Sequence, residues 1–156
     1  MTGEMTVAEA LAIRSATAKR IDQLRARIVG NARYQEGDSP VEDPVALLAE
    51  AEQALGELEA LIRRINRTNA ATSLGEGTIT DALARRDVLR QRHSVLTAAA
   101  DAGAARNEFR HLRSELRTLT ALPVSELRVR ADQTAAQLRQ IDADIQRANW
   151  TVTLLP

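Results

Sequence analysis

Cysteine is absent from this chain, and aromatic side chains make up only 2% of its 156 residues. The first absence excludes disulfides, thiolate nucleophiles and zinc–thiolate sites. The second leaves Leu, Ile, Val and Ala to build the core, a composition typical of long helices. An excess of charge of one sign is also missing: 21 basic residues balance 21 acidic ones, and the two are interspersed. That pattern offers no broad electrostatic footprint for nucleic acid. No apolar run approaches the length of a membrane span, and Met1–Ala10 lacks a basic region followed by a hydrophobic stretch. No membrane partner and a cytoplasmic location are therefore the expectations. Lysine is nearly absent, with Lys19 alone; arginine suits bidentate pairing with carboxylates, and a codon bias toward Ala and Arg explains it equally well.

What is present is helical periodicity. Thr6 and Glu9 form a capping box, after which Val7, Ala10, Arg14, Thr17, Ile21, Leu24 and Ile28 recur at spacings of three and four. This predicts a first helix ending near Gly30, followed by a loop to Asp43 that is rich in Gly, Asn and Asp and holds Tyr34. Asp43 and Pro44 open a second helix. Its seam runs Leu48, Ala51, Leu55, Leu58, Ile62 and Ile65, with a parallel row of Leu47, Ala54, Leu61 and Thr68. Continuing the seam by heptads puts Asn69 and Thr72 on it, so polar groups point inward at the end of this helix.

Gly75 and Gly77 mark a turn, and Thr80 is the expected N-cap of a long third helix, with Asp81 favourably placed near its N-terminus. Its row steps by seven through Val88, Val95, Ala102, Phe109 and Leu116, flanked by Leu89 and Leu96. Pro123 stops that helix, and the preceding L-R-T-L-T-A-L reads as extended. Ser125 caps a fourth helix with the seam Leu127, Ala131, Thr134, Leu138, Ile141, Ile145 and Ala148, and the tail from Trp150 alternates again. The fold class is thus all-α: one domain over residues 1–156, an antiparallel bundle of four long helices with short extended segments after the third and fourth. Two such segments, separated by a helix of about 24 residues or roughly 36 Å, do not easily pair within one subunit. If they form β-structure, the natural partner lies in a second chain, which points to a homo-oligomer.

The leading candidate site is the corner between the second and third helices: Asn66, Arg67, Thr68, Asn69 and Thr72 on one side, Thr80, Asp81, Asp87 and Arg90 on the other. Such groups either cradle a small polar ligand or ion, or form a buried network that fixes register and assembly. His93 and His111 are 18 residues apart, roughly 27 Å along a straight helix, too far to share a metal. No metal or cofactor is expected. Carboxylate pairs such as Glu57 and Glu59, or Asp142 and Asp144, point to different sides of their helices, so acid–base catalysis is not indicated. The row Arg106, Arg110, Arg113 and Arg117 is a basic stripe of the kind that usually pairs with neighbouring glutamates.

The runs I-N-R-T-N-A-A-T at 65–72 and T-D-A-L-A-R-R-D-V-L-R at 80–90, the loop with Y-Q-E-G-D and E-D-P, and the closing I-Q-R-A-N-W-T together resemble the septicolysin family of small bacterial proteins. The resemblance implies, through the family's name, a cytolysin. Three functional expectations stand: a structural or assembly protein forming a homo-oligomer, a small-ligand or ion-binding protein using the polar corner, and a cytolysin on the strength of the name.

Overall fold

The structure is a computed structural model and describes residues 4–105 and 118–156. It is all-α. The elements in chain order are α1 (Val7–Asn31), α2 (Pro44–Ala71), β1 (Ser73–Leu74), β2 (Gly77–Thr78), α3 (Ile79–Ala104) and α4 (Val124–Thr151). The chain forms two compact units, one of Met1–Thr80 with Gln146–Pro156 and one of Asp81–Ile145.

In the first unit α1 and α2 run antiparallel. Arg20 bonds Glu50 at 2.7 Å near mid-helix, and Arg27 meets Glu42 near the loop. Beside these ion pairs Leu24, Leu47 and Ala51 pack together with Ile28. At the far end Val7, Ala10, Ile65 and Leu154 form a second cluster, against which Met5, Leu11, Leu61 and Val152 pack. The first turn of α1 is closed by the expected capping box: the Glu9 amide donates to the Thr6 hydroxyl, and the Thr6 amide donates to the Glu9 carboxylate at 2.7 Å. Those bonds favour the ionised form and hold the Glu9 carboxyl below its ordinary pKa. Asp43 caps α2 by accepting from the Val45 amide, with Pro44 in the first turn. The connecting loop is tied by Asn31, whose side chain donates to the Arg27 carbonyl and accepts from the Glu42 amide.

Between α2 and α3 the chain makes a two-stranded antiparallel hairpin, Ser73 opposite Thr78 and Leu74 opposite Gly77. Gly75 turns it at φ +63°, a backbone region where only glycine sits without strain. Ile79 is fully buried, and α3 starts there, so Thr80 lies inside the first turn instead of capping it.

The extended tail finds its partner within the chain. The Val7 amide donates to the Val152 carbonyl at 3.0 Å and the Leu154 amide to the Met5 carbonyl at 2.8 Å, with Thr6 opposite Thr153. The expectation that this segment needs a second chain is corrected here. The partner is the short run before α1, whose role as a strand its two or three residues do not advertise. Trp150 and Thr151 belong to α4, so the extended part begins only at Val152. After α3, residues 118–123 form no strand. Phe109, His111, Leu116 and the row Arg106, Arg110, Arg113 and Arg117 lie outside the described residues.

In the second unit α3 and α4 also run antiparallel, Asp101 facing Arg128 at 3.6 Å near one end and Arg90 facing Asp142 at 3.7 Å toward the other. Their core is Leu96, Ala100, Leu127 and Ala131, with Ala99 and Val124 beside it. Gly103 allows a close approach: a Cβ there would stand 2.8 Å from Val124 Cγ2 and 3.1 Å from Thr120 Oγ1.

Candidate functional site

The last two turns of α2 set the geometry of the polar corner. Thr68 is fully buried on the row that Leu61 and Ala54 occupy, and its hydroxyl is used twice. It donates to the Arg64 carbonyl one turn back at 2.8 Å and accepts the Leu155 amide of the tail at 3.0 Å. Arg64 Nε donates to the Leu155 carbonyl at 2.8 Å, and Arg67 Nη1 to the Pro156 carbonyl at 3.1 Å. The end of α2 is therefore a clasp for the chain's own C-terminal residues. Thr72 closes the helix, its hydroxyl donating to the Thr68 carbonyl at 2.8 Å.

Asn69 is different. Its Oδ1 is buried and has no hydrogen-bond partner among the described residues, an arrangement that costs about 1–3 kcal/mol when nothing compensates it. Asn66 and Thr80 are exposed, as is most of Arg67.

Six of the nine candidate residues, Asn66 to Thr80, lie in the first unit, and Asp81, Asp87 and Arg90 lie in the second. In the second unit Asp87 and Arg90 join a four-charge network with Arg86 and Asp142. Asp87 Oδ1 is 3.3 Å from Arg86 Nε and 3.5 Å from Arg90 Nη1, while Asp142 Oδ1 lies 3.9 Å from Arg86 and 3.7 Å from Arg90. Arg86, with only 22% of its side chain exposed, is the most enclosed member. Alternating signs with every charge balanced tie α3 to α4, and this is a structural use of charge. Asp81 is exposed in the first turn of α3.

The sequence pattern did not place Arg64 or Arg86 in the candidate site, and it offered Asp142 only as half of a carboxylate pair with Asp144. Arg64 follows Arg63 and reads as part of a solvated charged face. Its inward role depends on a tail partner 91 positions away. Arg86 shares a heptad row of α3 with His93 and Ala100, of which Ala100 is buried and the other two are half-buried.

Among the described residues no group of three or more His, Cys, Asp or Glu side chains is placed to hold a metal ion. Nor is any helix among them long and apolar enough to cross a membrane. His93 is half-buried, and His111 lies outside the described residues.

Residues 14–154 match the model of a family described as a family of unknown function (DUF6847). A crystal structure of a functionally unknown conserved protein from Corynebacterium diphtheriae is similar throughout: 38% identity, a TM-score of 0.89, and coverage of 98% of this chain and 100% of that one. No curated protein matches. These findings overturn the resemblance to the septicolysin family, and the cytolytic expectation that rested on its name loses its support. The motifs that suggested it, a polar helix end and a T-D start followed by an Ala, Leu and Arg run, are what capping and helix propensity favour in many unrelated helical proteins.

Proposed function

We infer the role of this chain from its own surfaces, because it belongs to the family of unknown function DUF6847, which supplies no activity: it is an assembly protein, a helical module that associates with copies of itself. The observation that carries this reading is the use made of the polar corner. Thr68 accepts the Leu155 amide, and Arg64 and Arg67 each donate one bond to the backbone of Leu155 or Pro156, so all three have a part in holding the tail. A site built for a polar ligand presents convergent groups that await a partner. Exposed apolar residues on α2 and α3, among them Leu48, Leu55, Val88 and Val95, supply surface that a partner copy would bury.

A second reading is favoured by one atom. Asn69 Oδ1 is an acceptor without a donor among the described residues, and a small ligand or ion with a donor or positive charge would satisfy it. Native mass spectrometry separates the two. Assembly predicts peaks at whole multiples of the 17.0 kDa chain with no bound adduct. An adduct carried by each chain and lost in Asn69→Leu would favour the ligand reading instead.

A further inference from the structure

On α2 the exposed apolar residues Leu48 and Leu55 are seven apart, and Ile62 continues the row half-buried. Glu52 and Glu59, also seven apart and exposed, run alongside it on one flank. On α3 Val88 and Val95 repeat the spacing, 55% and 67% exposed, and Arg85 and Arg92 run alongside them. One face is apolar with an acidic flank and the other apolar with a basic flank. Glu52, Arg85 and Arg92 have no ion-pair partner among the described residues, and Glu59 has only Arg63 at 3.9 Å.

The spacings fit each other in one direction. With the helices antiparallel and Leu48 opposite Val95, Leu55 falls opposite Val88, since both rows advance by about 10.5 Å per seven residues. Glu52 then lies about 6 Å along from Leu48 and Arg92 about 4.5 Å along from Val95, so the two charges stand within about 1.5 Å of the same level, and Glu59 and Arg85 do likewise one heptad on. Each charged residue follows its apolar neighbour around the helix in the same sense, which puts acid and base on the same side of the seam only when the helices are antiparallel. Where Leu55 would arrive, α3 has an open groove of about 320 Å³ lined by Ala84, Arg85, Val88, Leu89 and Arg92, with Gln137 of α4. It is apolar at its floor and basic at its rim.

We propose that the α2 face of one copy docks antiparallel on the α3 face of a second copy, Leu55 entering the groove at Val88 and Glu52 and Glu59 pairing with Arg92 and Arg85. This inference rests on the self-association reading and names the surface it uses. Because the contact joins two different faces, charge exchange between copies tests it without knowledge of the copy number. In E52R/E59R both faces are basic, and in R85E/R92E both are acidic. Each variant alone loses association by about tenfold or more in dissociation constant. An equimolar mixture restores it through 1:1 complexes, which also shows that neither variant is misfolded.

Sedimentation velocity of each variant, the mixture and the wild type is the experiment. Weakened single variants with a restored mixture support the proposal. An associating wild type whose charge variants associate equally well overturns the docking surface and leaves self-association standing. Charge variants that fail to associate when mixed, although circular dichroism shows both folded, overturn the pairing. A wild type that stays monomeric to about 100 µM overturns the assembly reading itself.

Discussion

Replacing Thr68 by valine removes one oxygen and almost no volume, and the structure says what that oxygen does. Its donated bond goes to the Arg64 carbonyl, which already sits in the helix ladder and loses little. Its accepted bond comes from the Leu155 amide, and that donor is left facing a methyl group beside a fully buried position. An unsatisfied, partly buried amide costs about 1–3 kcal/mol, and the added methyl returns some of this by apolar burial, so a net loss of about 1–2 kcal/mol is expected. At roughly 2–4 °C per kcal/mol for a chain of this size, Tm falls by about 2–8 °C. The fold contains its own control. Thr134 is also buried and also donates back one turn, to the Arg130 carbonyl at 2.8 Å, but among the described residues no amide donates to it. Thr134→Val is therefore within about 0.5 kcal/mol of wild type. Thermal unfolding gives both numbers, and amide exchange should speed up at Leu154 and Leu155 only in the Thr68 variant. Equal losses in the two variants, or none at Thr68, would refute the idea that Thr68 acts as the acceptor for the tail.

Asn69→Leu removes the orphaned acceptor and is expected to hold or raise stability by about 1 kcal/mol in denaturant titration. Two helical glycines give opposite signs on substitution by alanine. Gly56, where a Cβ would have no described residue within 4 Å, gains about 0.5–1 kcal/mol from propensity. Gly103→Ala forces Val124 and Thr120 aside and loses more than that gain, about 1–3 kcal/mol in all, read as an earlier unfolding transition. Acid destabilises the first unit through Glu9 and Glu42. The backbone bond at Thr6 lowers the pKa of Glu9, and the Arg27 guanidinium lowers that of Glu42. Their contribution is present above the unfolded carboxylate pKa of about 4.3 and disappears as pH falls through the lower folded values. Urea midpoints from pH 7 to 3 should show that decline, and Glu9→Gln should flatten part of it.

Helix existence was legible in the sequence almost throughout, and helix rotation only in part. On α4 Leu127, Ala131, Thr134, Ile145 and Ala148 are buried along the expected seam, and on α1 Val7, Ala10 and Leu24 are. Those helices have a single apolar row, so the period leaves no choice of face. α3 has two adjacent rows, and the core takes Leu89, Leu96 and Ala100 while Val88 and Val95 stay outside. α2 behaves the same way: Leu47 and Ala54 turn inward and Leu48 and Leu55 do not. A heptad step fixes a row but not which of two apolar rows meets the neighbour. At the corner, the pattern placed Thr68 on an inward row, and the structure buries it fully. Its partner was invisible, because pairing with Leu155 spans 87 positions and depends on a tail whose strand partner is itself two or three residues long.

Sedimentation equilibrium of the wild-type chain reads self-association without any substitution. A self-associating chain gives a weight-average mass that rises with concentration from 17.0 kDa toward a whole multiple of it. A mass that stays at 17.0 kDa up to about 100 µM would contradict it.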